Sequence, residues 1–385
     1  MKTSPKVLAA ILAMMMALTV TGCSDDKKPE PRKDPAQTKT QSTTQTATTS
    51  SYNPPSPKDT KGKMPDIKYT LTKLTGYSQK TEDSFGYAGA ATSLYKGNII
   101  IGDREAKALQ AIKVSGNTAA VDTDMFDNGL LKTGMGELRH PVVAGNMLYA
   151  GGPFSLFRYD GTTLTDMFPK EVKKPSPCPN YLVPSPDGTH AAIFNQSNNC
   201  RLNKAVLSGG MIKEVTPWFM TLAKNLNETT ANSPFFQLGN VVFDGDLIYV
   251  MGSLTQKAAE EMKGRQTSHV VIAYTADGKQ KAVYGNPDWM AGDGIKKGTE
   301  NFFVTQDYVV VIDTQTGRGL SLYNKADGKY LGTYFSETVL GDKRGKIVGV
   351  AKSSDKEWYL VYNIYDTPQE QKLKNTRYIA RFTLQ

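Results

Sequence analysis

A short apolar run, a turn rich in Gly, Asp or Asn, and a second apolar run follow one another six times along this chain. Gly-Asn and Asp-Gly pairs provide the positive φ angles that tight turns need, so turns of this kind between apolar runs predict β-hairpins. Successive turns lie 43 to 61 residues apart. Hairpins that repeat at about 40–50 residues are typical of the blades of a β-propeller. The six turns are centred on Gly97, Gly145, Gly188, Gly245, Gln306 and Asp355.

Five of the six repeats contain a second turn of the same kind, 16 to 33 residues after the first. Two hairpin turns in one repeat predict four antiparallel strands, which in a propeller follow one another from the central axis outward. Apolar runs such as 98–101 and 308–312 suit inner strands that are buried on both faces. The second turns lie at 115–117, 160–161, 208–210, 277–278 and 327–328.

The sixth repeat lacks a second turn, and its last apolar segment is 375–384. Segment 67–74 alternates apolar and polar residues ahead of the first repeat and belongs to no complete repeat. Pairing this segment with the last repeat would supply the missing strand and remove an open sheet edge. We therefore predict an all-β protein, a β-propeller of six four-stranded blades closed by an N-terminal strand. A sandwich of hairpins and a seven-bladed ring with one degenerate blade are the alternatives.

Two segments interrupt the β pattern. Thr216 and Pro217 precede an apolar stripe at helical spacing, which predicts a helix over 217–226 that packs across the ring or docks a partner. Segment 255–265 predicts a second short helix inside the fourth repeat, where the two turns are 33 residues apart.

The N-terminus has the layout of a secretory signal. Two lysines precede an apolar stretch over 7–20, which is shorter than the roughly 20 residues of an ordinary membrane span. The sequence Val-Thr-Gly-Cys at its end resembles the lipobox of bacterial lipoproteins. In that family the cysteine receives diacylglycerol, which implies that 1–22 is a cleaved signal and that Cys23 anchors the protein outside a bacterial membrane. A secretory signal with an incidental cysteine is the alternative.

Residues 23–64 are predicted to be a disordered tether behind this anchor. They are rich in Thr, Ser, Gln, Lys and Pro and have almost no apolar side chains, so they cannot bury enough surface to fold. Residues 65–385 are the predicted propeller domain. Signal and tether together hold five of the nine excess positive charges of the chain. The nearly balanced domain and its export therefore argue against nucleic acid as a partner.

The chain has three cysteines, and an exported protein can keep a disulfide. With Cys23 assigned to lipid, Cys178 and Cys200 remain on either side of the hairpin turn at Gly188. We predict that they are linked; closing a loop of about 22 residues would add roughly 3 kcal/mol of stability. Two free buried thiols are the alternative.

No sequence motif indicates a catalytic or metal centre. His140, His190 and His269 lie in different repeats without metal-type spacing, and His140 is retained as a candidate ligand contact. The acidic segment 122–129 fails the EF-hand pattern at one ligand position and at its final Glu, so we expect a solvated loop there, with a calcium loop as the alternative. We expect no cofactor and no metal ion.

Arginine recurs near the start of the predicted third strand in four repeats. An aspartate five residues ahead of the arginine, followed by alternating apolar residues as in 313–323, resembles the NHL repeat. In that family the Asp/Arg pair is largely structural and joins neighbouring connections. The other interpretation is a ring of guanidiniums at one mouth of the propeller, suited to carboxylate, phosphate or acidic-glycan ligands. The candidates are Arg104, Arg201, Arg318 and Arg377.

The anchor, the tether and the missing catalytic motif favour a lipid-anchored binding or scaffold module over an enzyme. Its partner would be an envelope protein or an acidic surface ligand. The alternative is a calcium-dependent six-bladed hydrolase or lyase that resembles the lactonases. In that family Glu and Asn or Asp side chains at the start of several inner strands hold calcium in the channel. Glu300 and Asn301 occupy such a position, but the first repeat offers no equally clear partner.

Overall fold

A computed structural model describes ten stretches of the chain. They contain 26 β-strands and two short α-helices. The strands form six antiparallel sheets. The described stretches are 62–81, 92–103, 106–134, 136–195, 201–222, 233–264, 268–296, 301–313, 318–366 and 374–385.

Each sheet is one blade of a six-bladed β-propeller, and its innermost strand is the one that precedes the first hairpin turn of the repeat. The first blade contains β3 (Thr92–Tyr95), β4 (Asn98–Asp103), β5 (Ala108–Ser115) and β6 (Thr118–Val121), with β7 (Leu130–Leu131) also paired to β5. The second contains β8 (Arg139–Ala144), β9 (Met147–Gly151), β10 (Leu156–Tyr159) and β11 (Leu164–Asp166). The third contains β12 (Tyr181–Pro184), β13 (His190–Phe194), β14 (Arg201–Ser208) and β15 (Met211–Thr221).

The remaining three blades follow the same plan. The fourth contains β16 (Phe235–Asp244), β17 (Leu247–Leu254), β18 (His269–Thr275) and β19 (Gln280–Tyr284). The fifth contains β20 (Asn301–Val304), β21 (Tyr308–Asp313), β22 (Gly319–Asn324) and β23 (Tyr330–Phe335). The sixth contains β24 (Gly345–Lys352), β25 (Glu357–Tyr365) and β26 (Asn375–Leu384), and is completed by β1 (Tyr69–Lys73) and β2 (Gln79–Thr81). All eleven predicted turns join neighbouring strands of one blade, so the predicted six-bladed fold is confirmed.

The hydrophobic core lies between neighbouring blades, because each sheet is apolar on both faces. In β4, Ile99 packs in a buried cluster with Val361 of the sixth blade. The next residue, Ile100, points to the opposite face and packs with Leu148 of the second blade. Alternate side chains of one strand thus join two different seams, and six such clusters surround the ring.

Strand β1 closes the ring by pairing antiparallel with β26 over all five of its residues. The ring of Tyr69 stacks on that of Phe382, with their centroids 4.8 Å apart. Ahead of β1 the chain runs beside the outer strand of the fifth blade, where the Thr333 N–H donates to the Lys63 carbonyl at 2.7 Å. The predicted closure by an N-terminal strand is therefore confirmed, and the contacts of the domain begin slightly before residue 65.

One predicted helix is confirmed and the other is wrong. Helix α1 (Gln256–Glu261) lies within predicted segment 255–265, and the Thr255 hydroxyl accepts a hydrogen bond from the Ala258 N–H at 3.2 Å as its N-cap. A second helix, α2 (Ser336–Leu340), precedes the sixth blade.

Where a helix was predicted from residue 217, the described residues instead continue β15, the outer strand of the third blade. Pro217 lies opposite Asn203 of β14. An outer strand tolerates proline because one of its edges has no strand partner. Trp218 and Phe219 pack on the core cluster between the third and fourth blades. The apolar residues therefore belong to a strand, because pairing with β14 overrides the local helix signals. The predicted segment beyond residue 222 lies outside the described residues.

Removal of β1 tests the closure. A chain that begins at residue 62 should keep the melting temperature of the whole protein, because every described contact is retained. A chain that begins at residue 75 loses Leu74, which is buried between the first and sixth blades, and Tyr69 and Leu71, which are half-buried between the fifth and sixth blades. Full burial of one large apolar side chain contributes roughly 1.5–3 kcal/mol, so the three together contribute several kcal/mol at most. Its melting temperature, measured by calorimetry, should be much lower. Equal melting temperatures for the two truncated chains would contradict closure by β1.

Candidate functional site

The antiparallel blades place their connections at two opposite ends of the ring. The hairpin turns that were predicted from the sequence lie at one end. The connections between second and third strands, and those between blades, lie at the other end, which we call the connection face. Among the described residues it includes 152–155, 167–180, 285–296 and 336–344. Innermost strands surround the channel of a propeller, so a ligand that enters from this face meets them first.

Six polar or aromatic side chains, one from each inner strand, lie between the middle of their strand and its connection-face end. Together these provide a hydroxyl, an imidazole, a phenol, two amides and an ammonium group. They form a set of hydrogen-bonding groups with one full positive charge. We call these residues the inner-strand group: Thr92, His140, Tyr181, Asn240, Asn301 and Lys346.

His140 has an unusual backbone and a tight aromatic contact. Its φ is 51°, in the left-handed region, and it lies within a bulge of β8. Residues other than glycine seldom adopt this conformation, which concentrates at functional sites. The imidazole stacks on Tyr181 of the next blade with the centroids 3.7 Å apart. Burial, reinforced by the charge of Arg139, lowers the pKa of His140 to about 3, so the imidazole is neutral at physiological pH.

Asn240 and Asn301 meet across the fourth and fifth blades. The Asn240 side-chain N–H donates to the Asn301 side-chain oxygen at 3.0 Å, and the oxygen of Asn240 accepts from the Val241 N–H at 2.8 Å. The pair fixes two amide groups on neighbouring inner strands. Asn301 was a predicted site residue, whereas its predicted companion Glu300 lies outside the described residues.

Lys346 and Thr92 stand on the inner strands that meet where the ring closes. The ammonium of Lys346 lies 5.1 Å from the centroid of the Tyr365 ring. Burial lowers the pKa of this ammonium, and the carboxylate of Asp313 partly offsets that shift. Lys346 is opposite Asn363 in the sheet. The side-chain oxygens of Asn363 and Thr92 are buried and have no hydrogen-bond partner among the described residues, so both remain acceptors for a ligand or water.

Arg318 holds the connection between the fourth and fifth blades. Its guanidinium donates to the carbonyls of Gly292 and Gly294, the latter at 3.3 Å. The ammonium of Lys296 donates to two further carbonyls of this connection, at 2.8 and 3.0 Å. Burial, reinforced by Arg318, lowers the pKa of Lys296 to about 8. Arg318 thus fastens residues 285–296 to the fifth blade, and Lys296 braces the same connection from within.

Arg377 lies in the closing seam and is 1% exposed. It hydrogen-bonds Tyr77, whose hydroxyl donates to Gln110 of the first blade at 3.0 Å. Next to them, the Gln79 amide donates to Asp103 at 2.9 Å. These contacts tie the segment around β2 to both neighbouring blades, so Arg377 supports the closure.

The structure does not bring the described arginines together. Arg201 is exposed at the first residue of β14, Arg318 is bound to carbonyls, and Arg377 is buried. All three lie in third strands or, for Arg318, directly before one, two strands away from the channel, which separates them from one another and from the inner strands. Arg104 lies outside the described residues.

Several members of the inner-strand group were not found in the sequence, namely Thr92, Tyr181, Asn240 and Lys346. The sequence signal that could have found these four residues is their position, because each lies on the strand that precedes the first hairpin turn of its repeat. A buried pair was missed as well, since the Ser253 hydroxyl and the His269 ring lie 2.9 Å apart at the connection-face end of the fourth blade.

One of the three cysteines, Cys178, lies within the described stretches. Cys178 has a half-buried thiol, and burial raises its pKa. Cys200 and Cys23 lie outside the described residues, so the disulfide and the lipid attachment remain predictions. Within the described stretches, no three His, Cys, Asp or Glu side chains are grouped in a way that could hold a metal ion.

Comparison with protein-family models found no match, and comparison with curated proteins found none either. Solved structures do match. A gluconolactonase from Xanthomonas campestris has 11% identity and a TM-score of 0.46, over 84% of this chain and 97% of that one. A protein of unknown function from Bacteroides thetaiotaomicron has 11% identity and a TM-score of 0.49, over 81% of this chain and 76% of that one. At these similarities the two structures carry no conclusion about the activity of this chain.

None of the helices in the described stretches is both long enough and apolar enough to cross a bilayer.

Replacement of His140 tests its environment. Its pKa in the folded protein lies below the value of 6.5 for a free histidine. Below about pH 6.5 the imidazole is therefore protonated in the unfolded chain but stays neutral in the folded one, which destabilises the folded state. This contribution to stability is complete above about pH 6.5 and decreases as the pH falls towards 3. Asparagine tolerates a positive φ, so His140→Asn keeps the backbone conformation. Between about pH 7.5 and pH 5, the melting temperature of His140→Asn should fall less than that of the unchanged protein. The same pH dependence in both proteins would contradict a buried, neutral imidazole.

Proposed function

We propose that this protein is a lipid-anchored, extracytoplasmic binding module that holds a small, hydroxyl-rich carboxylate at its inner-strand group. The observation that carries the proposal is this group itself, in which each of the six inner strands supplies a hydrogen-bonding side chain and one of the six is an ammonium. Binding sites of small molecules combine a shaped cavity with a few polar groups of this kind.

The chemistry of each group suits such a ligand. The amides of Asn240 and Asn301 donate and accept, as hydroxyl groups do. Lys346 supplies a charge-assisted hydrogen bond to a carboxylate. The neutral imidazole of His140 adds no second positive charge, which favours a ligand with a single carboxylate. The oxygens of Thr92 and Asn363, which have no hydrogen-bond partner within the described part of the chain, accept from ligand hydroxyls. A sugar acid combines these features and belongs to the class of acidic surface ligands.

The setting of the module follows from the N-terminal sequence. Cys23 carries the lipid, and residues 23–64 separate the propeller from a bacterial membrane. The ligand is then met in the cell envelope, where nucleic acid is not a partner. Support for this part comes from the lipobox-like sequence at 20–23 and from the composition of the tether.

A second candidate is a calcium-dependent hydrolase or lyase of the lactonase type. The amide pair Asn240–Asn301 favours it, because amide oxygens on inner strands are ligands that Ca²⁺ accepts. Two amides alone do not make a calcium site, and the described residues add no cluster of carboxylates to them. Calorimetric titration with Ca²⁺ and an assay of lactone hydrolysis separate this candidate from a binding module.

Titration calorimetry with matched sugars tests the proposed ligand class. Glucuronate and gluconate should bind the unchanged protein, and glucose, which lacks the carboxylate, should bind more weakly. Loss of a hydrogen bond to a charged group costs about 1.5–3 kcal/mol, so Lys346→Gln should weaken carboxylate binding roughly tenfold or more. Asn301→Leu should weaken all three sugars.

The matched control is Lys343→Gln, an exposed lysine three residues away on the same face. It should bind the sugar acids as the unchanged protein does. Equal losses in Lys343→Gln and Lys346→Gln, or no heat of binding with any sugar acid, would contradict the proposal.

The anchor has its own test. Cys23→Ala should release the protein from the membrane fraction, since the thiol that receives the lipid is gone. Mass spectrometry of the unchanged protein should find a lipid-modified N-terminal peptide that begins at Cys23. Membrane association that persists in Cys23→Ala, together with an unmodified peptide, would exclude lipid anchoring.

A further inference from the structure

The seam between the first and sixth blades has polar side chains at its connection-face end. The sixth blade supplies a row of four that lie directly opposite one another on successive strands, namely Lys346, Asn363, Arg377 and Gln79. Side chains at directly opposite positions of antiparallel strands project from the same face of the sheet, with their Cβ atoms about 4.5–5.5 Å apart. Val361, two residues before Asn363 on that face, packs with Ile99 of the first blade. The row therefore faces the first blade.

The first blade supplies a facing row. Thr92, Ile101 and Gln110 lie opposite one another on β3, β4 and β5. Ile101 belongs to the same buried cluster as Val361, so this row faces the sixth blade. At the inner end of the two rows stand Thr92 and Lys346, on inner strands that are in contact. The two rows form a polar layer that runs from the channel outward between the blades, and we call it the seam layer.

Residues 74–81, which we call the linking segment, tie the two blades through main-chain hydrogen bonds. The Leu74 N–H donates to the Ile379 carbonyl of the sixth blade at 3.0 Å. The next N–H, that of Thr75, donates to the Asn117 carbonyl of the first blade at 3.0 Å. The amide of Thr75 therefore reports directly on whether this seam is closed.

Side chains of the linking segment fasten the outer part of the seam layer. The Tyr77 hydroxyl lies 3.0 Å from the side-chain oxygen of Gln110 and 2.9 Å from that of Gln79. Arg377 donates a hydrogen bond to the same hydroxyl. The Gln79 amide donates to the buried carboxylate of Asp103 in the first blade at 2.9 Å. Tyr77 and Gln79 thus hold the outer ends of the two rows together.

The inner part of the seam layer lacks such bonds. The side-chain oxygens of Asn363 and Thr92 are buried, and neither has a hydrogen-bond partner within the described part of the chain. Asn363 is only 2% exposed, so a donor for its oxygen has to lie between the two blades. Beside it, the ammonium of Lys346 lies 5.1 Å from the centroid of the Tyr365 ring. A buried oxygen without a donor is unfavourable, so the closed seam gains stability when a hydroxyl group donates there.

We propose that the linking segment positions the Lys346–Asn363 side of the ligand site, so that ligand binding and closure of this seam strengthen each other. Tyr77 and Gln79 are the positioning residues, because they hold the two rows together without contacting the ligand. The ligand carboxylate binds Lys346, and a hydroxyl beside it donates to Asn363 or Thr92 within the same layer. A ligand bound between two blades favours their closed arrangement, and linkage requires that a looser seam bind the ligand less tightly. The coupling depends on the ligand site proposed above and adds its regulation.

Titration calorimetry with gluconate tests the coupling. Tyr77→Phe removes the hydroxyl that joins the two rows but keeps the buried ring. It should weaken gluconate binding roughly fivefold or more, which is the lower end of the usual range for coupled sites. The matched control is Ser321→Ala, which removes a buried hydroxyl 2.8 Å from that of Thr333 in the outer strands of the fifth blade. The control should also melt earlier than the unchanged protein, by circular dichroism, yet bind gluconate with unchanged affinity.

Hydrogen exchange with and without saturating gluconate measures the same coupling in the unchanged protein, where no substitution can unfold the chain. The Thr75 N–H should exchange more slowly when gluconate is bound. The Ile212 N–H is the matched control, since it donates to the Met167 carbonyl between the second and third blades at 3.0 Å. Its exchange should slow less than that of Thr75.

Three results would overturn the coupling and leave the proposed ligand site intact. They are unchanged gluconate affinity in Tyr77→Phe, equal losses of affinity in Tyr77→Phe and Ser321→Ala, and equal slowing of exchange at Thr75 and Ile212. Absence of gluconate binding by the unchanged protein would instead overturn the ligand site, and the coupling with it.

Discussion

The pairing of β1 with β26 is the contact on which the rest of the propeller depends. A ring of blades has no covalent link between its first and last members, so the seam between the first and sixth blades is held by noncovalent contacts. Without β1, the third strand of the sixth blade would expose a row of unpaired N–H and C=O groups along one edge. Closure by a strand from the opposite end of the chain satisfies these groups and joins the two ends of the domain.

Aromatic packing reinforces this pairing. Tyr69 of β1, Phe382 of β26 and Trp358 of β25 form a stacked row, with centroid distances of 4.8 and 5.4 Å. Tyr334 of the fifth blade contacts Phe382 edge-on at 5.1 Å, and its hydroxyl donates to the Ile67 carbonyl at 2.8 Å. The closing strand is thereby fixed to two blades. The inner strands β24 and β3 are brought into contact at the same seam, which sets Lys346 beside the strand of Thr92. The proposed ligand site is thus complete only in a closed ring.

The arrangement of strands into blades was predictable because it depends on the local conformational preferences of the turn residues. Turns such as the one at Gly97, with a φ of 79°, need a residue that tolerates positive φ, and their spacing alone counts the blades. The strand around Tyr69 was predictable because the last repeat lacked a fourth strand.

Local signals failed at Pro217, where pairing with β14 decides between helix and strand. Spacing along the chain also says little about distance from the axis, which is why the recurring arginines did not predict a shared site. The left-handed backbone of His140 and the amide contact of Asn240 depend on neighbouring blades and had no sequence signal of their own.

Native-state hydrogen exchange tests the central role of the closure most directly. If the ring depends on β1, those amides of Tyr69–Lys73 that donate to β26 should exchange as slowly as the hydrogen-bonded amides of β25 and β26, because they open only when the whole propeller unfolds. Addition of low denaturant should accelerate all three strands together. Rapid exchange of the β1 amides that donate to β26, while β25 and β26 stay protected, would contradict the account, since it would show that the sixth blade persists without its closing strand.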